Sequence, residues 1–228
     1  MKKILVLLSG GIDSTICLAL AIKKYGKDNV STISIYYGQK NDKELKAARN
    51  IANYYKVKYE EIDISNLYKN CTSSMIKTSN IKIPQISYDE QVKKISNNEN
   101  VSTNVPFRNG LFLSICASYA INNDIKEIYY GIHREEGIAR SLYPDCDEDF
   151  DMAMNLAIYL GSGKKVKINS PICTLLKKDI IKKGIELNVP FELTWTCYND
   201  AEKPCGKCTA CIDRIKGFKN NNMIDPLM

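Results

Sequence analysis

Two short stretches of this chain carry residue types that do chemistry as groups. The first is Ser9-Gly10-Gly11-Ile12-Asp13-Ser14, set directly after the apolar residues 4–8. A Gly-Gly turn lets backbone N–H groups approach a ligand closely, and a helix beginning at the turn adds partial positive charge. Both features favour an anion such as a phosphate. Ser9 and Ser14 add hydroxyl donors. Asp13 would repel a bare phosphate, so it either bridges through Mg²⁺ or caps the helix. The stretch is neither G-x-x-x-x-G-K-[ST] nor G-x-G-x-x-G.

The second stretch holds Cys197, Cys205, Cys208 and Cys211, spaced C-x7-C-x2-C-x2-C. Four thiolates at this spacing suit tetrahedral Zn²⁺, and a site closed by four protein ligands is structural. An iron–sulfur cluster is the rival occupant, because thiolate softness alone does not separate the two. Pro204 and Gly206 help the backbone wrap, and Lys207, Arg214 and Lys216 are read as offsetting the charge of the centre. The chain has nine cysteines, an odd number, with no secretory pattern ahead of them. That argues for thiols rather than a disulfide framework.

The elements that must position these groups alternate in type. Strand-like segments fall at 2–8, 30–37, 57–64, 126–132 and 164–169, and helical patterns at 12–24, 41–55, 108–122, 148–160 and 174–187. The β-α-β-α-β order predicts an α/β fold with a doubly wound parallel sheet. Residues 65–104, rich in Ser, Asn and Lys, break the rhythm as a long excursion. Residues 1–190 are read as one α/β domain and 191–228 as a small cysteine-bearing module packed on it. The net charge of +6 is spread without an Arg-rich stripe, which makes a solvated surface the preferred reading over a nucleic-acid surface. The apolar run at the N-terminus stops at Gly-Gly, and nothing approaches the roughly 18 apolar residues of a membrane span. A cytoplasmic protein is expected.

Ser9–Ser14 resembles the S-G-G-x-D-S pyrophosphate loop of the N-type ATP pyrophosphatases, which are adenine nucleotide alpha hydrolase-like in fold and split ATP between its α and β phosphates. Further matches follow in order: "YYGQ" at 36–39, "STNVPFRN" at 102–109, "YPDC" at 143–146, "TWTCYN" at 194–199 and the cysteine cluster. Together they resemble the 7-cyano-7-deazaguanine synthases over nearly the whole chain. The resemblance implies adenylation of 7-carboxy-7-deazaguanine by ATP, displacement of AMP by ammonia, and ATP-driven conversion of the resulting amide to the nitrile. It also implies a homodimer, and neither a nucleic-acid nor a membrane partner.

The same resemblance implies site residues. Leu8, Ser9, Gly10, Gly11, Ile12, Asp13, Ser14, Thr15, Ile16, Cys17 and Leu18 form the nucleotide-binding stretch, with Asp13 and Ser14 acting on the pyrophosphate with Mg²⁺. Lys177 looks like the family's lysine that neutralises phosphate charge, Lys178 being the alternative one register on. Arg108 suits the substrate carboxylate or a phosphate through its fork geometry. Asn109 suits a purine edge, and Asp145 the amino and ring N–H donors of a guanine-like base. Tyr37 and Gln39 are read either as neighbours of the adenosine or as plain loop.

The segment 131–146 is longer and more charged than the family's usual approach to Y-P-D-C. It carries the lone histidine, His133, to which no catalytic role is assigned, and Glu135, Glu136 and Arg140, which either line the pocket or face water. Rival functions are a tRNA-modifying thiolase or lysidine-type ligase, which would call for an RNA-binding domain or a strongly basic surface. NAD and GMP synthetases share the loop but lack the four cysteines. A zinc module that only binds would leave "SGGIDS" and "VPFRN" unexplained.

Overall fold

A computed structural model describes residues 2–94, 101–133, 143–199 and 201–228. Glu135, Glu136 and Arg140 lie outside them. Five parallel strands, β1 (Ile4–Leu7), β2 (Val30–Tyr36), β3 (Lys58–Asp63), β4 (Glu127–Tyr129) and β5 (Lys167–Asn169), form one sheet in the order β3-β2-β1-β4-β5. The strands run in register, Ile4 opposite Val30 on one side and opposite Glu127 on the other. The chain winds outward from β1 to β3, then returns to start again at β4. The crevice between β1 and β4 is therefore the switch point, where ligands of such sheets bind. The sheet is doubly wound, as the alternating pattern predicts, although β4 and β5 are shorter than the segments 126–132 and 164–169 read for them.

The central strands are buried on both faces, which is why β1 reads as a continuous apolar run instead of alternating. Ile4, Val6 and Leu8 pack into one core with α1 (Ile12–Tyr25), α2 (Lys43–Tyr55), α6 (Lys177–Glu186) and α7 (Thr209–Lys219). Leu5 faces the other core, formed with α4 (Arg108–Asn122) and α5 (Glu148–Gly161). The apolar stripe of α2 (Leu45, Ala48, Ile51 and Ala52, all buried) is the helical spacing read from the sequence. Burying residues of this kind contributes roughly 1.5–3 kcal/mol each for the larger side chains.

The excursion after β3 is ordered where it returns to the sheet. Gln39 and Ile76 form an antiparallel bridge, Lys40 N–H donates to Met75 O at 2.8 Å, and Ser74 N–H donates to Ser102 O at 2.7 Å. These bonds hold Met75 at the C-terminal edge of the sheet, and the short helix α3 (Tyr88–Lys94) is tied to the cysteine segment by Gln91 Nε2, which donates to Thr209 Oγ1 at 2.7 Å. Among the described residues, no helix is long and apolar enough to cross a membrane.

Candidate active site

The turn from β1 to α1 builds a cradle from local bonds. Gly10 takes φ +86°, a conformation that an L side chain resists. A Cβ there would stand 2.2 Å from Glu44 O and 2.8 Å from Ala48 N, so glycine is also what lets α2 press against the loop. Ser9 N–H donates to Ser14 Oγ at 3.1 Å, the two hydroxyls lie 3.0 Å apart, and Thr15 Oγ1 donates to Gly11 O at 2.7 Å. Ser9 and Ser14 thus hold each other across the mouth of the helix.

Asp13, in the first turn of α1, gathers cations from distant parts of the chain. Lys177 Nζ lies 2.8 and 2.9 Å from its two oxygens, and His133 Nδ1 lies 3.0 Å from Oδ2. Burial pushes the Asp13 carboxyl up, but Lys177 and then His133 overcome this and hold it well below the usual carboxylate range. Lys177 opens α6 and also stands 3.7 Å from Asp213 of α7. Lys178 is exposed and its carbonyl accepts from Asn221, so the inward lysine is Lys177. Gly131 completes the approach: a Cβ there would be 2.9 Å from the carbonyl carbon of Asp13. His133 and Gly131 carried no distinctive sequence signal, because only the register of β4 against β1 brings them to Asp13.

A cavity of about 280 Å³ runs from this loop along the C-terminal edge of the sheet. Ser9, Asp13 and Lys177 line one end; Tyr37, Gln39, Arg108 and Asn109 line it further along. Tyr37 N–H donates to Gln39 Oε1 at 3.0 Å, so the segment after β2 is a built wall. Arg108 opens α4, donates from Nη1 to Tyr37 Oη at 3.1 Å and stacks 5.3 Å over the Tyr37 ring. The motifs "VPFRN" and "YPDC" meet behind it. Asn109 N–H donates to Asp145 Oδ2 at 2.8 Å, and its side-chain amide donates to Asp145 O at 2.9 Å. Asp145 is buried at the start of α4, so one of its oxygens is committed to holding Asn109.

The cysteine segment is tied to the same loop. Trp195 N–H donates to Gly10 O at 2.8 Å, and Asn41, just before α2, donates to Cys197 O at 2.5 Å. The sulfurs of Cys197, Cys205, Cys208 and Cys211 all lie within 4.8 Å of one another. A tetrahedral zinc with bonds of about 2.3 Å separates its sulfurs by about 3.8 Å, so the four thiols fit such an ion. Backbone N–H groups of Lys207 and Cys208 point at Cys205 Sγ at 3.4 and 3.3 Å, the arrangement that favours a thiolate. Arg214 does not offset this centre, contrary to the sequence reading. Its guanidinium is 1% exposed and forks onto Asp225, at 2.7 Å to one oxygen and 2.9 Å to the other, while also donating to Thr194 and Phe191. A buried guanidinium needs a carboxylate within bonding reach, and Asp225 supplies it.

A parallel sheet with a glycine loop at the end of its first strand, a helix N-terminus behind the loop and an Asp–Lys pair at its mouth defines the pyrophosphate-loop class of ATP-using α/β proteins. The fold resembles, at TM-score 0.50 and 14% identity, a solved structure from Methanocaldococcus jannaschii described as a predicted subunit of tRNA methyltransferase, covering 99% of this chain and 90% of that one. Residues 3–222 match the family described as queuosine biosynthesis protein QueC. A curated relative from Archaeoglobus fulgidus is 35% identical over 99% of this chain and 90% of its own length. Another, from Thermoplasma volcanium, is 40% identical over 99% and 90%. Both relatives are named 7-cyano-7-deazaguanine synthase. The chain belongs to the QueC family.

Proposed function

We infer that this chain is a C–N bond-forming ligase that converts 7-carboxy-7-deazaguanine and ammonia to 7-cyano-7-deazaguanine, with ATP driving both steps and AMP and pyrophosphate as by-products. One observation carries the reading. A single cavity joins the Ser9–Ser14 loop to Arg108 and Asn109 in a chain whose full-length relatives bear that enzyme's name.

The chemistry follows from the residues. A carboxylate is a poor electrophile, and adenylation turns its oxygen into a leaving group. The backbone N–H groups of Gly10 and Gly11 and the hydroxyls of Ser9 and Ser14 hold the ATP phosphates at the helix N-terminus. Lys177 neutralises charge that builds on the phosphates as the α–β bond breaks, and Asp13, itself bound by His133, keeps its ammonium at the loop. Arg108 binds the substrate carboxylate through its fork, held in aim by Tyr37. Asn109 reads the edge of the deazapurine, with Asp145 positioning it from behind. Asp13 and Asp213 would offer carboxylate oxygens to Mg²⁺, a hard ion that would supply neutralisation of phosphate charge.

Zinc is the occupant we assign to the four cysteines, as a structural clamp joining a C-terminal module (191–228) to the α/β domain (1–190). The reading includes a cytoplasmic homodimer. Incubation with ATP, Mg²⁺, ammonium and 7-carboxy-7-deazaguanine, followed by mass spectrometry, tests the function. Nitrile appearing together with AMP and pyrophosphate is the expected result. AMP formed only with a different acceptor would leave the loop chemistry standing and remove the deazapurine assignment.

A further inference from the structure

We propose that Glu44 is the seat of the ammonium ion in this site and the base that takes its proton, a role that rests on the ligase reading above. Among the described residues, three carboxylates line the cavity: Asp13, Asp213 and Glu44. Asp13 is held by Lys177 and His133, and Asp213 stands 3.7 Å from Lys177. Among the described residues, the Glu44 carboxylate has neither a hydrogen-bonding nor an ion-pair partner. It projects into the cavity from the first turn of α2, whose Gly10 contact fixes the position of that turn.

The groups that face it are Arg108 from α4, Tyr37 from the segment after β2, and Cys197 from the cysteine segment. Burial raises the carboxyl, against the pull of Arg108. A carboxylate left without a partner on the cavity wall is placed to exchange protons with a substrate. A bland role as partner of the helix dipole fits less well. A dipole partner needs no burial. Moreover, the first N–H of α2 is already taken by Asn41 Oδ1 at 2.8 Å.

The geometry matches what the reaction demands of its second substrate. Ammonium is a small cation that offers only donors, so it needs acceptor oxygens and a compensating negative charge. It has no lone pair until it loses a proton. Glu44 meets both needs beside Arg108, the residue assigned to the acid being activated. In the step proposed, a proton passes from ammonium to the Glu44 carboxylate. The freed nitrogen lone pair forms the C–N bond to the acyl carbon, the C–O bond to AMP breaks, and its electron pair leaves with the phosphate. The second proton departs from nitrogen to solvent, giving the neutral amide.

The test separates this step from adenylation. Wild type, Glu44→Gln and Glu44→Asp are assayed for ATP–pyrophosphate exchange with 7-carboxy-7-deazaguanine, which needs no ammonia, and for amide and nitrile formation against ammonium chloride concentration. Glu44→Gln is expected to keep exchange within a few-fold of wild type. Its kcat/KM for ammonium should fall by roughly 10²-fold or more, with a raised KM for ammonium and an unchanged KM for ATP. Glu44→Asp should recover part of that loss. Hydroxylamine, which attacks without losing a proton first, should trap the adenylate at similar rates in wild type and Glu44→Gln. An unchanged kcat/KM for ammonium in Glu44→Gln overturns the proposal. So does a parallel loss of exchange and nitrile formation, which would make Glu44 part of adenylation or of the fold. No exchange in wild type removes the ligase reading, and the inference with it.

Discussion

Replacing Gly10 with alanine tests the argument that the loop is shaped by close approach of α2 rather than by turn propensity alone. The new Cβ would stand 2.2 Å from Glu44 O, 2.8 Å from Ala48 N and 3.1 Å from Ala47 Cβ. Two of those are backbone atoms inside a helix, which cannot rotate away. The left-handed conformation at φ +86° adds roughly 1–2 kcal/mol for a residue with a Cβ. Overpacking adds about 1–3 kcal/mol more. The sum is about 2–5 kcal/mol, and in a domain of this size each kcal/mol lowers Tm by about 2–4 °C. The control is Gly163→Ala, with φ +65° and nothing within 4 Å of its Cβ. It carries only the conformational part, about 1–2 kcal/mol. Differential scanning calorimetry of both variants should show Gly10→Ala melting several degrees below Gly163→Ala. Pyrophosphate exchange should fall only in the former, because retreat of α2 distorts the loop that holds the phosphates. Equal Tm shifts in the two variants would refute the close-approach argument.

Asp225→Asn leaves Arg214 buried without its counter-charge and should cost about 3–5 kcal/mol in urea unfolding. Asp124→Asn, at the exposed Lys126 pair, should stay within about 1 kcal/mol. Lys177→Met should lower pyrophosphate exchange by roughly 10²–10³-fold, while exposed Lys178→Met leaves it near wild type. Metal analysis should find about one zinc per chain without iron or acid-labile sulfide, and Cys208→Ser should lose both the zinc and thermal stability. The Glu44 carboxyl is raised from 4.5 to about 7, so the folded state binds its proton more tightly than the unfolded chain does. Stability therefore falls as pH rises between those values. Glu44→Gln removes that loss and should melt higher than wild type at pH 8 but not at pH 4, as read by calorimetry.

Much of this molecule is legible from short-range pattern. The apolar run before "SGGIDS", the helical spacing of Leu45, Ala48, Ile51 and Ala52, and the C-x2-C-x2-C cluster each express rules that act within a turn or two of chain. A doubly wound sheet follows from the alternation of those elements, since parallel strands require crossovers. The Gly-Gly loop and the four thiols were recognisable for the same reason: a cradle or a metal clamp assembled from neighbours has a fixed spacing.

What pattern could not supply are partners joined across the fold. Lys177 meets Asp13 across 164 residues, and of the neighbours Lys177 and Lys178, which sequence left as alternatives, only packing of α6 turns the first toward Asp13 and leaves the second exposed. His133, a lone histidine with no motif around it, lands on Asp13 only because β4 pairs with β1. Arg214 looked like a counter-charge for the cysteines because it is near them in sequence, yet its bonds go to Asp225, because burial leaves a guanidinium no stable choice but a carboxylate. Glu44 reads as an ordinary first-turn acid of α2 and becomes a cavity wall only where Gly10 lets that helix close in. Local geometry therefore determined the elements and the two clusters built from adjacent residues. Long-range packing, which sets the burial and the charge neighbours of each side chain, decided which groups face the reaction.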